Sequence, residues 1–166
     1  MAMGYSTDFA GRFTLDKPLT SAQADYLRRF AETRRVWRRP ELTEERDDPL
    51  REDVDLPVGK GGGYFVGETG FAGQDRGYDI RDSNTPAPGQ PSLWCQWTVS
   101  EDNQHIEWNG GEKFYEYVPW LKYIISHFLQ PWGYILNGQV QWQGERSADT
   151  GIIEVNANVV STHRES

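Results

Sequence analysis

The stretch from Ser92 to Gln143 restricts this chain more than any other. Its apolar residues alternate, then recur at helical spacing, then alternate again, which predicts strand, strand, helix, strand, strand. Leu93-Trp94-Cys95-Gln96-Trp97-Thr98-Val99 and His105-Ile106-Glu107-Trp108 form the arms of one hairpin, with Leu93, Cys95, Trp97 and Val99 on one face. A helix follows from about Glu112 to Leu129 and buries Phe114, Tyr117, Val118, Leu121, Ile124, Ile125 and Phe128. Pro119 kinks it or begins a fresh turn, and Pro131 forbids continuation. Tyr134-Ile135-Leu136 and Gln139-Val140-Gln141-Trp142 then predict a second hairpin turned at Asn137-Gly138. Both central residues of a type I′ turn need positive φ, and Asn-Gly supplies them.

The flanking segments complete an α+β plan. Gly11 to Leu15 alternates as a strand. Thr20 and Gln23 form a capping box for a helix over about Ser21 to Trp37, with Tyr26, Leu27, Phe30, Ala31, Thr33 and Trp37 inward. Its outer face carries Arg28, Arg29, Arg34, Arg35 and Arg38. Residues 40–91 read as a long acidic and Gly-rich loop region, with Tyr64-Phe65-Val66 as a short strand inside it. Ile152, Ile153 and Val155 offer a further strand, and Asn156 to Asn158 a turn before Val159-Val160. The expectation is one domain over residues 1–166: an antiparallel sheet with two helices on one face, ferredoxin-like (split βαβ), with extra strands.

Composition narrows the function classes. Hydrophobic residues make up only 37% of the chain, but seven Trp, eight Tyr and seven Phe supply a ring-rich core. The formal charge of −8 argues against general nucleic-acid affinity. A single cysteine, Cys95, cannot form an internal disulfide. No segment has the length of a membrane span or the pattern of a signal peptide, so a cytoplasmic location is expected.

Three groups of residues carry chemistry. His105 and Glu107 share a strand face, and Glu112 and Glu116 lie one helical turn apart just beyond. A His with carboxylates suits a divalent metal or an acid–base pair, which gives a metal-dependent hydrolase using His105, Glu107 and Glu112 as one reading. The bland alternative is an exposed sheet face and an acidic helix start. Arg28, Arg29, Arg34, Arg35, Arg38 and Arg39 suit phosphates or an acidic partner, with Arg34 and Arg35 as the binding candidates. Against this stand Glu41, Glu44, Glu45, Asp47, Asp48, Glu52, Asp53 and Asp55, which can neutralise those arginines internally. The same acids, residues 41–55, also allow a nucleic-acid mimic that inhibits a partner. The third group mixes rings and amides: Trp94, Gln96, Trp132, Tyr134, Gln139, Gln141, Trp142 and Gln143. If one sheet face stays open, these can stack on and hydrogen-bond a small ligand or a protein.

The runs Trp94-Cys95-Gln96-Trp97, Ile106-Glu107-Trp108-Asn109-Gly110-Gly111-Glu112-Lys113-Phe114-Tyr115, Trp120-Leu121-Lys122-Tyr123 and Pro131-Trp132-Gly133-Tyr134 resemble a family of small uncharacterised proteins of tailed phages and bacteria. The resemblance implies a phage or bacterial cytoplasmic setting and assigns no activity. The leading expectation is a non-enzymatic binding module that uses the aromatic and amide sheet face. Its partner is a protein or small ligand, with a homodimer among the candidates. No cofactor and no resident metal are called for.

Overall fold

A computed structural model describes residues 4–67 and 77–164. The chain forms two compact units, residues 1–18 with 96–166, and residues 19–95. Residues 68–76 of the expected loop lie outside the described residues.

The first unit is built on a six-stranded antiparallel sheet. Its strands are β1 (Thr7–Leu15), β4 (Trp97–Val99), β5 (His105–Trp108), β6 (Leu136–Gly144), β7 (Thr150–Asn156) and β8 (Val159–Arg164). They lie in the order β4-β5-β1-β6-β7-β8. The α+β plan therefore holds, and β1 sits inside the sheet between strands that come much later in the chain. One face of the sheet is dry: Phe13, Leu15, Trp97, Val99, Ile106, Leu136, Val140, Trp142, Ile153 and Val155 are buried. Phe9 is the hub of a ring cluster, with T-shaped contacts to Trp97, Trp108, Phe114 and Tyr117 at 5.0–5.7 Å between centroids. Such pairs stabilise beyond their area, by about 0.5–1.5 kcal/mol each.

The Asn137-Gly138 turn is the main correction. Both residues lie inside β6, extended, with Asn137 opposite Thr14 and Gly138 between Phe13 and Val155. Pairing with β1 along all of Thr7–Leu15, and with β7 on the other side, outweighs the local turn preference. Gly138 is needed for a different reason. Its φ is +137°, and a Cβ there would lie 3.1 Å from the Arg12 carbonyl oxygen and from the Phe13 Cα. The true two-residue turn joins β7 to β8 at Ala157 and Asn158, whose φ values are 46° and 70°. Asn137 now serves that turn: its Oδ1 accepts from the Ala157 amide at 2.8 Å.

The long helix is also shorter than the spacing predicts. α4 covers Tyr117–Ile124 and runs into a π-helical turn at Ile125–Leu129. Residues 112–116 are not helical, because Lys113 and Glu116 adopt φ of 57° and 59°, which breaks any helix entering from Glu112. Pro119 sits in the first turn, where its missing donor costs nothing. Leu121, Ile124, Ile125 and Phe128 are buried as expected.

The second unit holds α1 (Ser21–Ala31), α2 (Pro40–Thr43), α3 (Pro49–Asp53) and a two-stranded ribbon of β2 (Val36–Arg38) with β3 (Ile80–Pro86). The Thr20–Gln23 capping box forms as the sequence predicts, with both bonds at 3.1 Å. The helix ends at Ala31, not Trp37, and residues 36–38 become a strand. Residues 40–60, expected as loop, contain two short helices, while Tyr64-Phe65-Val66 forms no strand. Of the first hairpin's expected arm from Leu93, only Trp97–Val99 is strand. No helix among the described residues is long and apolar enough to cross a membrane.

Candidate functional site

Of the six arginines, Arg35 and Arg38 turn inward, Arg28, Arg29 and Arg34 are half-buried, and Arg39 is exposed. Arg35 is 2% exposed and Arg38 1% exposed. Arg35 donates to the carbonyls of Thr33, Gly63 and Phe65, and its guanidinium lies 4.2 Å from the Phe30 ring. Arg38 pairs with the fully buried Asp79 at 2.7 Å, while Thr43 Oγ1 and Arg46 also donate to that carboxylate at 2.9 and 3.1 Å. Burial alone would raise Asp79, but the charge of Arg38, the bonds from Thr43 and Arg38 and the charge of Arg46 outweigh it and hold the carboxyl below its usual range. Arg34 bonds the Ser83 carbonyl at 3.1–3.2 Å. Asp48, one of the acidic run, is buried; it pairs with Arg51 at 2.6 Å and accepts from the Gly67 amide at 2.8 Å. Burying charge on this scale is tolerable only because each group is matched. Arg34 and Arg35 are thus occupied in holding the second unit together.

The residues of the hydrolase reading do not converge. His105 Nδ1 lies 2.9 Å from Asp102 Oδ2, Glu107 lies 3.8 Å from Arg12, and Glu112 is exposed. Among the described residues no three His, Cys, Asp or Glu side chains gather as a metal site. Ser100 Oγ and the Gln104 amide also donate to Asp102, so the His105–Asp102 contact belongs to a braced turn between β4 and β5. Asp102 is held well below the usual carboxylate range by Ser100 first, then His105 and Gln104.

Strand alternation separates the rings from the amides. Gln139, Gln141 and Gln143 are exposed on the open sheet face, whereas Trp142 points into the core at 5% exposure. Tyr134 is buried under Lys17, whose Nζ lies 5.1 Å from the ring centroid. Gln96 is spent internally: it accepts from Trp108 Nε1 at 3.0 Å and donates to the Glu112 carbonyl at 2.7 Å. Trp94 and Trp132 are half-buried in irregular segments. A hollow of about 220 Å³ brings Gln141, Trp142 and Gln143 together with Asp8 and Thr150.

A larger cavity, about 460 Å³, lies elsewhere in the first unit. Tyr5, Phe114, Tyr115 and Tyr117 wall it, and Arg146, Asp149, Arg164 and Glu116 bring charge to it. Its frame is a fixed hydrogen-bond set. Tyr5 Oη donates to Asp149 Oδ2 at 2.8 Å and accepts from the Arg146 amide at 3.1 Å. Asp149 Oδ1 accepts from Trp142 Nε1 at 3.0 Å. Gly144 makes this possible, since a Cβ there would collide with both the Tyr5 hydroxyl and the Asp149 carboxylate. Hydrogen bonds from Tyr5 and Trp142 hold Asp149 below its usual pKa, helped by the charges of Arg164 and Arg146. Burial, then the Asp149 charge, raises Tyr117. The Tyr117 hydroxyl has no hydrogen-bond partner among the described residues, and neither does the guanidinium of Arg146 or Arg164.

The sequence pointed to none of this cavity as a site. The spacing predicts Phe114 and Tyr117 on the buried face of a helix from Glu112, whereas the helix begins at Tyr117. The run Phe114-Tyr115-Glu116-Tyr117, bounded by Gly110-Gly111 and Pro119, was the available signal. Arg146 and Asp149 reach the cavity only through the loop between β6 and β7, which Asn137-Gly138 concealed. Compared with family models, curated proteins and solved structures, the chain matches none.

Proposed function

We propose that this chain is a non-enzymatic binding module whose ligand is a small molecule held in the cavity of Tyr5, Phe114, Tyr115 and Tyr117. The observation that carries the reading is a cavity of about 460 Å³ walled by rings, at which the Tyr117 hydroxyl and the Arg146 and Arg164 guanidiniums make no hydrogen bond among the described residues. Small-molecule sites span roughly 300–1,000 Å³ and combine apolar walls with a few oriented polar groups. Binding is favoured over catalysis because the best-placed acid, Asp149, already accepts from Tyr5 and Trp142. The strand order β4-β5-β1-β6 supports a split βαβ sheet, with β7 and β8 as the extra strands. In chain order residues 19–95 fall between β1 and β4. The resemblance to phage and bacterial proteins supplies a cytoplasmic setting.

A fragment screen by two-dimensional NMR on the full chain tests the proposal. Ring-bearing fragments are expected to shift the Tyr5, Tyr115, Tyr117 and Arg146 amides together. A library that leaves these resonances unmoved, or moves only Gln139 and Gln141 on the open sheet face, overturns it.

A further inference from the structure

We infer that the cavity takes a ring-bearing oxyanion, a carboxylate or phosphate gripped by Arg146 and Arg164 while the ring packs against tyrosine. The inference rests on the reading of this cavity as a ligand site and names the ligand's chemistry. In a chain of formal charge −8, two guanidiniums at one cavity that form no close ion pair or hydrogen bond among the described residues are unexpected; Asp149 is near enough to feel both charges but neither arginine closes on it. The first unit's other arginine, Arg12, lies 3.8 Å from Glu107. Arg146 instead lies over the Tyr5 ring at 5.7 Å, and Arg164 makes no ion pair or hydrogen bond among the described residues. Arginine presents a planar fork that matches both carboxylate and phosphate.

The acids at the rim do not cancel this preference. Asp149 accepts from Trp142 and Tyr5, and its charge is offset by those of Arg164 and Arg146, which leaves the pair of arginines with one excess positive charge over it. Glu116 is exposed and forms no ion pair with either arginine among the described residues. The Tyr117 hydroxyl adds a neutral donor within reach of an oxyanion; because a phenol also accepts, the preference for an anion rests on the two arginines. The volume of about 460 Å³ suits one ring with its headgroup.

The test is a set of matched probes titrated into the full chain, read by NMR shifts and calorimetry. Phenyl phosphate and phenylacetate are compared with phenol and phenylacetamide, with phenethylamine, and with inorganic phosphate and acetate. Both ring anions are expected to bind at least about tenfold more tightly than their neutral partners, and to weaken with added salt. The ranking of phenyl phosphate against phenylacetate tells phosphate from carboxylate. Arg146→Gln and Arg164→Gln should each cost the anions about tenfold and leave phenol unchanged. Both arginines are exposed, so neither change opens the core. Equal binding of anions and neutral partners, or preference for phenethylamine, overturns the anion assignment while leaving the cavity a ligand site. Inorganic phosphate matching phenyl phosphate removes the ring from the assignment. If no probe moves the cavity resonances, the underlying reading falls with it.

Discussion

Asp79 has no exposed surface and receives donors from Arg38, Thr43 and Arg46. Removing it leaves the Arg38 guanidinium buried beside the Phe65 ring at 4.3 Å with its carboxylate gone. Stranded buried charge of this kind typically costs about 3–5 kcal/mol. Asp79→Ala should therefore shift the urea midpoint by that amount, while the exposed Asp82→Ala should barely move it. The double change Arg38→Met with Asp79→Leu should recover much of the loss, because a well-packed apolar pair can replace a buried ion pair. A double variant as unstable as Asp79→Ala would show that Thr43 and Arg46 depend on the carboxylate more than Arg38 does. The sequence could not reveal this residue's role. Asp79 lies 41 positions from Arg38, in a stretch whose Gly and Asp content reads as loop.

At the scale of elements, the chain's signals were legible where local preference and tertiary pairing agreed. The Thr20–Gln23 cap, the strand at His105–Trp108 and the buried stripe from Leu121 to Phe128 all needed only their own neighbours. Asn137-Gly138 failed because two flanking strands compete for it, and no window of sequence shows how many neighbours a strand will have. The cavity was hidden for the same reason, since its lining comes from four separated segments. The turn that does form is imperfect: Ala157 adopts φ of 46°, a conformation costing a residue with a Cβ about 1–2 kcal/mol. Ala157→Gly should stabilise the β7–β8 hairpin by on the order of 0.5–1 kcal/mol, once glycine's looser unfolded state is subtracted. Slower amide exchange across Val155 to Val160 would register the gain. Asn158→Ala should do the opposite, because its side chain bonds both the Leu136 amide at 2.7 Å and the Tyr134 carbonyl at 3.0 Å.

For the whole molecule, acid should act in two stages. His127 stacks on Tyr123 at 3.8 Å, and burial holds it below its ordinary 6.5. A histidine depressed in the folded state gives stability that is lost as pH falls past its unfolded value. Asp79 and Asp149 are depressed carboxyls, so their stability is complete above about 3.8 and is lost as pH falls through their folded values. Unfolding free energy should thus decline modestly below pH 6.5 and steeply below pH 4. His127→Gln should erase the first stage and leave the second, as urea titrations at pH 7, 5 and 3 would show.

The placement of β1 reaches beyond the finished structure. Its partners at His105 and Ile106 are synthesised roughly ninety residues after Leu15, and Leu136 to Gly144 later still. At bacterial or eukaryotic elongation speeds that interval lasts on the order of ten seconds. Once it has left the exit tunnel, a nascent ribbon ending in Phe13 and Leu15 waits with neither neighbour made. Residues 19–95 can meanwhile assemble around their arginines. The centre of the sheet therefore closes only once the C-terminal strands are made, and Thr7–Leu15 is the stretch that a chaperone of nascent chains would have to cover.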